Sequence, residues 1–207
     1  MSLAPALLAG LATLKLDVTA AKQRQLLNFI DLLEKWNGVY NLTALREPEQ
    51  MLAQHILDSL AVVPHLQAKT LVDVGSGAGV PGIPLAVARD DIEITLIDSN
   101  HKKATFMREA QMQLNLKNVQ VVCTRVEGFH SVNGFDAVIS RAFSDLAEFV
   151  RVSRHLCAPG ARLFAMKGML PYEEMLQLPA DVKVVSQLPL AIPGVAAQRH
   201  LIILEPS

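Results

Sequence analysis

Cysteine is scarce in this chain: Cys123 and Cys157 are its two thiols in 207 residues. So few, set so far apart, they offer neither a metal-ligand pair nor a disulfide framework, which suits a reducing, cytoplasmic compartment. Charge of one sign is also missing. The 19 Lys+Arg against 20 Asp+Glu give a formal net charge of -1, which excludes a polybasic nucleic-acid coat protein but not a local basic patch. No run of eighteen apolar residues occurs, so no membrane-spanning helix is expected. No glycine is followed by lysine, which excludes the phosphate loop of NTPases. Repeats, low-complexity tracts and charge runs are absent too. What is present is a 51% hydrophobic, 19% charged sequence, long enough to bury a sizeable core and incompatible with a disordered chain.

Two regimes meet near Lys69. Residues 1–69 read as helical. The apolar start from Leu3 to Leu14 lacks a preceding basic residue and is interrupted by Pro5 and Gly10, so it reads as a mature helix rather than an export signal. Thr19 is a candidate N-cap for a helix over 20–36, with Leu26, Ile30, Leu33 and Trp36 on one stripe and Gly38 as its stop. Pro48 opens another helix carrying Met51 to Val63, which Pro64 ends. Residues 70–207 alternate strands with helices. Strands are expected at 70–74, 93–98, 119–123, 135–140, 162–167, 182–188 and 200–204. Helices are expected at 82–89, 102–116 and 145–156. This order predicts an α/β fold with a seven-stranded, mostly parallel sheet, closed by an antiparallel pair. Residues 1–69 would form a helical cap over its crevice and 70–207 one compact unit.

The sharpest signal is the run Asp73-Val74-Gly75-Ser76-Gly77-Ala78-Gly79-Val80-Pro81-Gly82, which follows the first strand and opens a helix. Alternate glycines let the backbone approach a ligand closely, and such a loop lies at the ligand crevice of an open α/β sheet. Its frame departs from the dinucleotide pattern, and Pro81 removes an N–H that a pyrophosphate would use. Asp73 would repel a diphosphate but suits a cation, such as the ammonium and sulfonium of S-adenosylmethionine. Asp98 closes the second strand, where an acidic side chain meets a ribose diol.

These residues resemble the first motif of class I S-adenosylmethionine-dependent methyltransferases, which have a Rossmann-like sheet. Lys35-Trp36-Asn37, Tyr40-Asn41-Leu42-Thr43 and His55-Ile56-Leu57-Asp58-Ser59 narrow the resemblance. So do Asp98-Ser99 with Lys102-Lys103, Arg125-Val126-Glu127, Ser140-Arg141-Ala142-Phe143, Met166-Lys167-Gly168 and Arg199-His200-Leu201. Together they are similar to the bacterial small-subunit rRNA guanine-N7 methyltransferases, also called glucose-inhibited division protein B. The resemblance implies methyl transfer from S-adenosyl-L-methionine to N7 of one guanosine in 16S ribosomal RNA, by a cytoplasmic monomer acting on the small ribosomal subunit. It places Asp73, Gly75, Ser76, Gly77, Gly79, Val80, Asp98, Ser99, Val126, Glu127 and Arg141 at the cofactor, with Val126 and Glu127 at its adenine.

Guanine N7 has an in-plane lone pair and no proton, so its methylation needs alignment and electrostatics rather than a general base. The chain accordingly lacks the Pro-Pro-aromatic motif of exocyclic-amine methyltransferases, and neither cysteine is placed as a nucleophile; both read as core thiols. Arg141 stands out as a positioning or electrostatic group after the fourth strand, with a plain salt bridge as the alternative. Asn41, His55, Lys167 and Arg199 are candidate substrate contacts. His55 and Asp58 share a helix face, and Asp58 reads as a structural contact. Trp36 reads as core, although it and Tyr40 could stack a base. Weak basicity predicts poor affinity for naked RNA and favours a pre-shaped ribosomal substrate. Two other readings stay open: a methyltransferase on a different acceptor, and a non-catalytic S-adenosylmethionine-binding module in ribosome assembly.

Overall fold

The computed structural model describes residues 2–206 apart from Ala142 and Ser144. The Ala142 of the Ser140–Phe143 motif therefore lies outside the described residues. Strands β1 (Thr70–Val74), β2 (Glu93–Asp98), β3 (Val119–Cys123), β4 (Phe135–Ser140), β5 (Cys157–Lys167), β6 (Val182–Pro189) and β7 (His200–Pro206) form one sheet in the order β3-β2-β1-β4-β5-β7-β6. The first five are parallel to one another, and β7 runs antiparallel between β5 and β6. The order reverses between β1 and β4, and ligands bind outside the carboxyl ends of strands at such a point.

Side-chain alternation splits the core into two layers. Leu71, Ile94, Leu96, Ala137, Ile139, Phe164 and Leu201 face one layer. Val72, Val74, Ile97, Val138, Leu163 and Ile202 face the other. Apolar residues on both faces explain why these strands read as continuous hydrophobic runs. Helices α1 (Ala4–Thr13), α2 (Ala20–Tyr40), α5 (Gly82–Ala88) and α6 (His101–Gln113) contribute to the first layer. So does the segment made of α3 (Pro48–Met51), a π-helical stretch (Leu52–Leu57) and α4 (Asp58–Leu60). Helix α7 (Leu146–Ser153) covers the second layer, and the short α8 (Tyr172–Leu176) packs against α7. Phe29 of α2 stacks on Phe106 of α6 at 6.2 Å between centroids, and both are fully buried. The N-terminal helices thus share one apolar layer with the sheet.

Thr19 caps α2, its Oγ1 accepting from the Lys22 N–H. Gly38 does not end this helix. The helix continues to Tyr40 and stops at Asn41, which adopts the left-handed conformation at φ 49°. A helix interior tolerates one glycine, whereas a residue with positive φ cannot propagate the helix. The expected helix over 51–63 is instead broken into α, π and α turns and ends at Leu60, with Pro64 inside a following 3-10 turn. Trp36 packs at the core rim, edge-on to Phe106 at 5.8 Å and stacked on Tyr40 at 5.3 Å. Cys123 and Cys157 are half-buried free thiols.

Candidate functional site

The glycine loop is tied to β2 rather than left as a free turn. Gly75 and Ser76 N–H groups both donate to the Ile97 carbonyl, and the Gly77 N–H donates to Asp98 Oδ2 at 2.9 Å. Gly75, Gly77 and Gly79 all have positive φ, between 60° and 77°, a region that side chains avoid. Gly82 is required for a different reason. Its N–H donates to Asp73 Oδ2 at 2.8 Å, and an added Cβ would press into that carboxylate and the Leu96 side chain.

Asp73 shares the sheet face of Leu71, beneath α5, and is fully buried. Its Oδ1 has no hydrogen-bond partner among the described residues. Burial pushes its pKa up to about 7, against the opposing effect of the Gly82 N–H. A buried acceptor without a donor, under a cradle of glycines, suits a cationic ligand group and not a phosphate. Beside the cradle lies a pocket of about 300 Å³ lined by Gly75, Asp98, Ser99, Arg125, Val126 and Glu127 among others. Asp98 Oδ1 accepts from the Asn100 N–H at 2.8 Å, which fixes the carboxylate at the strand end, where a ribose diol can reach its remaining lone pairs. These acceptors therefore fit a nucleoside carrying positive charge. Of the expected cofactor residues, Gly75, Asp98, Ser99, Val126 and Glu127 line this pocket, Asp73 lies below the loop, and Ser76 donates to the Asp73 carbonyl at 2.8 Å. Gly77, Gly79 and Val80 complete the loop, Val80 being buried.

A second pocket, of about 360 Å³, is lined by Gln54, His55, Asp58, Arg141, Lys167 and Arg199 together with Leu45, Met166 and Gly168. It brings together four of the residues singled out from sequence: Arg141, His55, Lys167 and Arg199. Arg141 leaves the end of β4 and reaches back to the N-terminal helices. Its Nη1 donates to the Gln54 carbonyl at 2.7 Å and lies 3.5 Å from Asp58 Oδ2, while Nη2 donates to His55 Nδ1 at 3.2 Å. The salt bridge that sequence offered as the alternative for Arg141 therefore exists, and it sits inside the pocket. Lys167 Nζ donates to Glu174 Oε2 at 2.7 Å and to the Phe143 carbonyl at 3.4 Å. The same Glu174 oxygen accepts from the Leu146 N–H and so anchors α7. Asn41 lies elsewhere: it is exposed at the end of α2, and its Oδ1 accepts from Arg46 at 3.0 Å.

His55 Nδ1 also lies 3.2 Å from the Gln54 carbonyl, and Nε2 is hydrogen-bonded with Thr43 Oγ1 at 2.9 Å. Burial, with Arg141 beside it, holds the His55 pKa down at about 4. His55 is therefore neutral at pH 7. The unfolded chain binds this proton near pH 6.5, so stability from the neutral ring is full above that pH and is lost as pH falls toward 4. Wild type should lose about 3 kcal/mol relative to His55→Gln between pH 7 and pH 4. Urea melts of both proteins at the two pH values measure this.

Asp58, read from sequence as a structural contact, sits 2% exposed between Arg141 and Arg199. The signal available was a lone carboxylate within the apolar run Ile56–Leu60. Glu174 and the Gln54 carbonyl had none, since one depends on strand order and the other on a π turn.

The family model described as GidB, rRNA small subunit methyltransferase G, matches residues 22–202. The ribosomal RNA small subunit methyltransferase G of Nitrosospira multiformis is 53% identical over 203 residues, covering 95% of this chain and 94% of its own length. That of Laribacter hongkongensis is 51% identical, covering 99% of each. Among solved structures, an Aquifex aeolicus SAM-dependent methyltransferase aligns with TM-score 0.57 at 19% identity, covering 75% of this chain and 92% of its own. The glycopeptide N-methyltransferase MtfA aligns with TM-score 0.62 at 11% identity, covering 73% and 86%. The structural likenesses establish the methyltransferase fold, and with the match over residues 22–202 the chain belongs to the GidB family, rRNA small subunit methyltransferase G.

Proposed function

We propose that this chain transfers a methyl group from S-adenosyl-L-methionine to N7 of a guanosine in 16S rRNA of the small ribosomal subunit. The observation that carries the reading is the juxtaposition at the β1/β4 switch point of a glycine cradle over buried Asp73 and a cationic pocket lined by Arg141 and Arg199. Bound in the cradle, the cofactor supplies an electrophilic methyl group on a sulfonium. Asp73 balances its positive charge from below, Asp98 takes the ribose, and Val126 and Glu127 border the adenine. Arg141 and Arg199 hold the nucleotide in the second pocket, and the 1–69 helical segment serves as the cap that supplies His55 and Asp58 to its wall. N7 carries no proton, so none of these residues need remove one.

Among the described residues no helix is long and apolar enough to cross a membrane. Labelled S-adenosylmethionine should label small subunits from a strain lacking the gene. Reduction and strand scission at N7-methylguanosine should then give a single cut in 16S rRNA. Protein-free 16S rRNA should be labelled at least about tenfold less efficiently at moderate salt, because a chain with a formal net charge of -1 holds naked RNA weakly. Equal labelling of both forms would overturn the pre-shaped substrate, and no cut would overturn the N7 reading.

A further inference from the structure

Two carboxylate oxygens are buried without a hydrogen-bond donor among the described residues, Oδ1 of Asp73 and Oδ1 of Asp58. The cradle gives the first a purpose. The second lines the other pocket. Asp58 Oδ2 lies 3.5 Å from Arg141 Nη1, and its Oδ1 lies 3.4 Å from Arg199 Nε, outside hydrogen-bond geometry. Around it stand neutral His55, the two arginines, and Lys167 held by Glu174. The arginines balance the charge of the carboxylate, yet a strong acceptor remains without a proton to accept, which is a costly state in a buried site.

Resting on the N7 reading above, we infer that Asp58 is the residue that selects guanine, by accepting hydrogen bonds from its N1–H and exocyclic N2–H. Guanine presents these two donors in a row, with the O6 acceptor next to them. The pocket presents a carboxylate with the Arg141 guanidinium next to it. The two sequences are complementary. Adenine reverses both contacts, setting the N1 lone pair against the carboxylate and the N6 amino group against the guanidinium. N7 lies beyond O6, outside this pairing, and stays free to react. Arg199 covers Oδ1 in this structure, but its side chain is 24% exposed and its Nη1 donates to the Gln198 carbonyl on an exposed loop. The entering base displaces this guanidinium, which finds a phosphate of the same strand instead.

The test compares small subunits assembled from 16S rRNA carrying guanosine or inosine at the target. Inosine keeps N1–H, O6 and N7 but lacks the N2 amino group. Dimethyl sulfate acting on the same RNAs, denatured, gives the intrinsic reactivity ratio of the two N7 atoms. Wild-type kcat/KM should fall about 10- to 100-fold beyond that ratio on inosine, the range expected for loss of a good base-edge contact. Asp58→Ala should be slower on guanosine and show the intrinsic ratio alone. A wild-type ratio equal to the dimethyl sulfate ratio overturns the inference without any variant and leaves the N7 reading standing. An undiminished inosine penalty in Asp58→Ala also overturns it, because Asp58 would then only hold the arginines. Should that variant not fold, the same penalty undiminished in Asp58→Leu, whose side chain likewise offers no acceptor to the N2 amino group, has the same force. A wild type that methylates neither RNA defeats the N7 reading itself, and the inference with it.

Discussion

Asp73→Asn should weaken S-adenosylmethionine binding by roughly 10- to 100-fold at pH 8 while leaving the free protein at least as stable as wild type. The size follows from the loss of one charge roughly 6 to 12 Å from a cation at an effective dielectric near 20. The stability follows from burial. Asn can still accept from the Gly82 N–H, the one hydrogen bond the Asp73 side chain receives from α5. The carboxylate itself is a liability in the free protein, because its pKa is pushed up to about 7. A raised carboxylate pKa means the folded state holds the proton longer. Its stability contribution is full below about 3.8 and is lost as pH rises through 7. Wild type should therefore fall relative to Asp73→Asn by roughly 4 kcal/mol between pH 4 and pH 8, the opposite trend to His55. Cofactor binding must expel this proton below pH 7. The wild-type Kd should improve up to tenfold per pH unit approaching 7 and then level off, whereas Asp73→Asn should be flat. Calorimetric titration across pH 5.5 to 8.5 reads both curves. Equal Kd values for the two proteins at pH 8 would remove Asp73 from the cofactor site.

The strands were legible because burial on both faces forces unbroken apolar runs, and β1 through β4 fall on the residues those runs mark. The glycine loop was legible because positive φ and close approach restrict the residue type at Gly75, Gly77, Gly79 and Gly82. The stop of α2 was misread. A glycine weakens a helix anywhere, but only the conformation of Asn41 reveals where the chain leaves it. The substrate pocket was half legible. Arg141, His55, Lys167 and Arg199 could be picked as polar residues in odd places, but their convergence depends on a π turn at Leu52–Leu57 and on β7 running back beside β5. Neither has a local sequence signature. Asp58 shows the limit of residue-type reasoning: a carboxylate on an apolar helix face signals burial, and its partners are the residue after β4 and the residue before β7.

Arg141→Ala should reduce methyl transfer to small subunits by about 100- to 1000-fold, the range for removing one preorganised charged donor from a site, with a much smaller change in cofactor Kd. Arg141 lines the second pocket, within electrostatic reach of the cofactor side. It feels the charge of Asp73 on the cofactor side and donates to Gln54 and His55 on the other. Its loss leaves Asp58 buried with Arg199 as its remaining cationic neighbour, so the variant should also be less stable by about 3 kcal/mol. The two effects have separate readouts. Single-turnover rates at saturating cofactor, on protein shown to be folded at the assay temperature, isolate the chemical step from the stability loss. Arg141→Lys restores the charge but not the planar fork that serves Gln54, His55 and Asp58 at once, so it should recover part of the stability and remain about tenfold slow. If Arg141 were only a strut between β4 and the N-terminal helices, both variants would melt earlier and the folded fraction would turn over at the wild-type rate. The rate of the lysine variant decides the matter, because a strut needs a charge in place while a donor to the nucleotide needs its geometry.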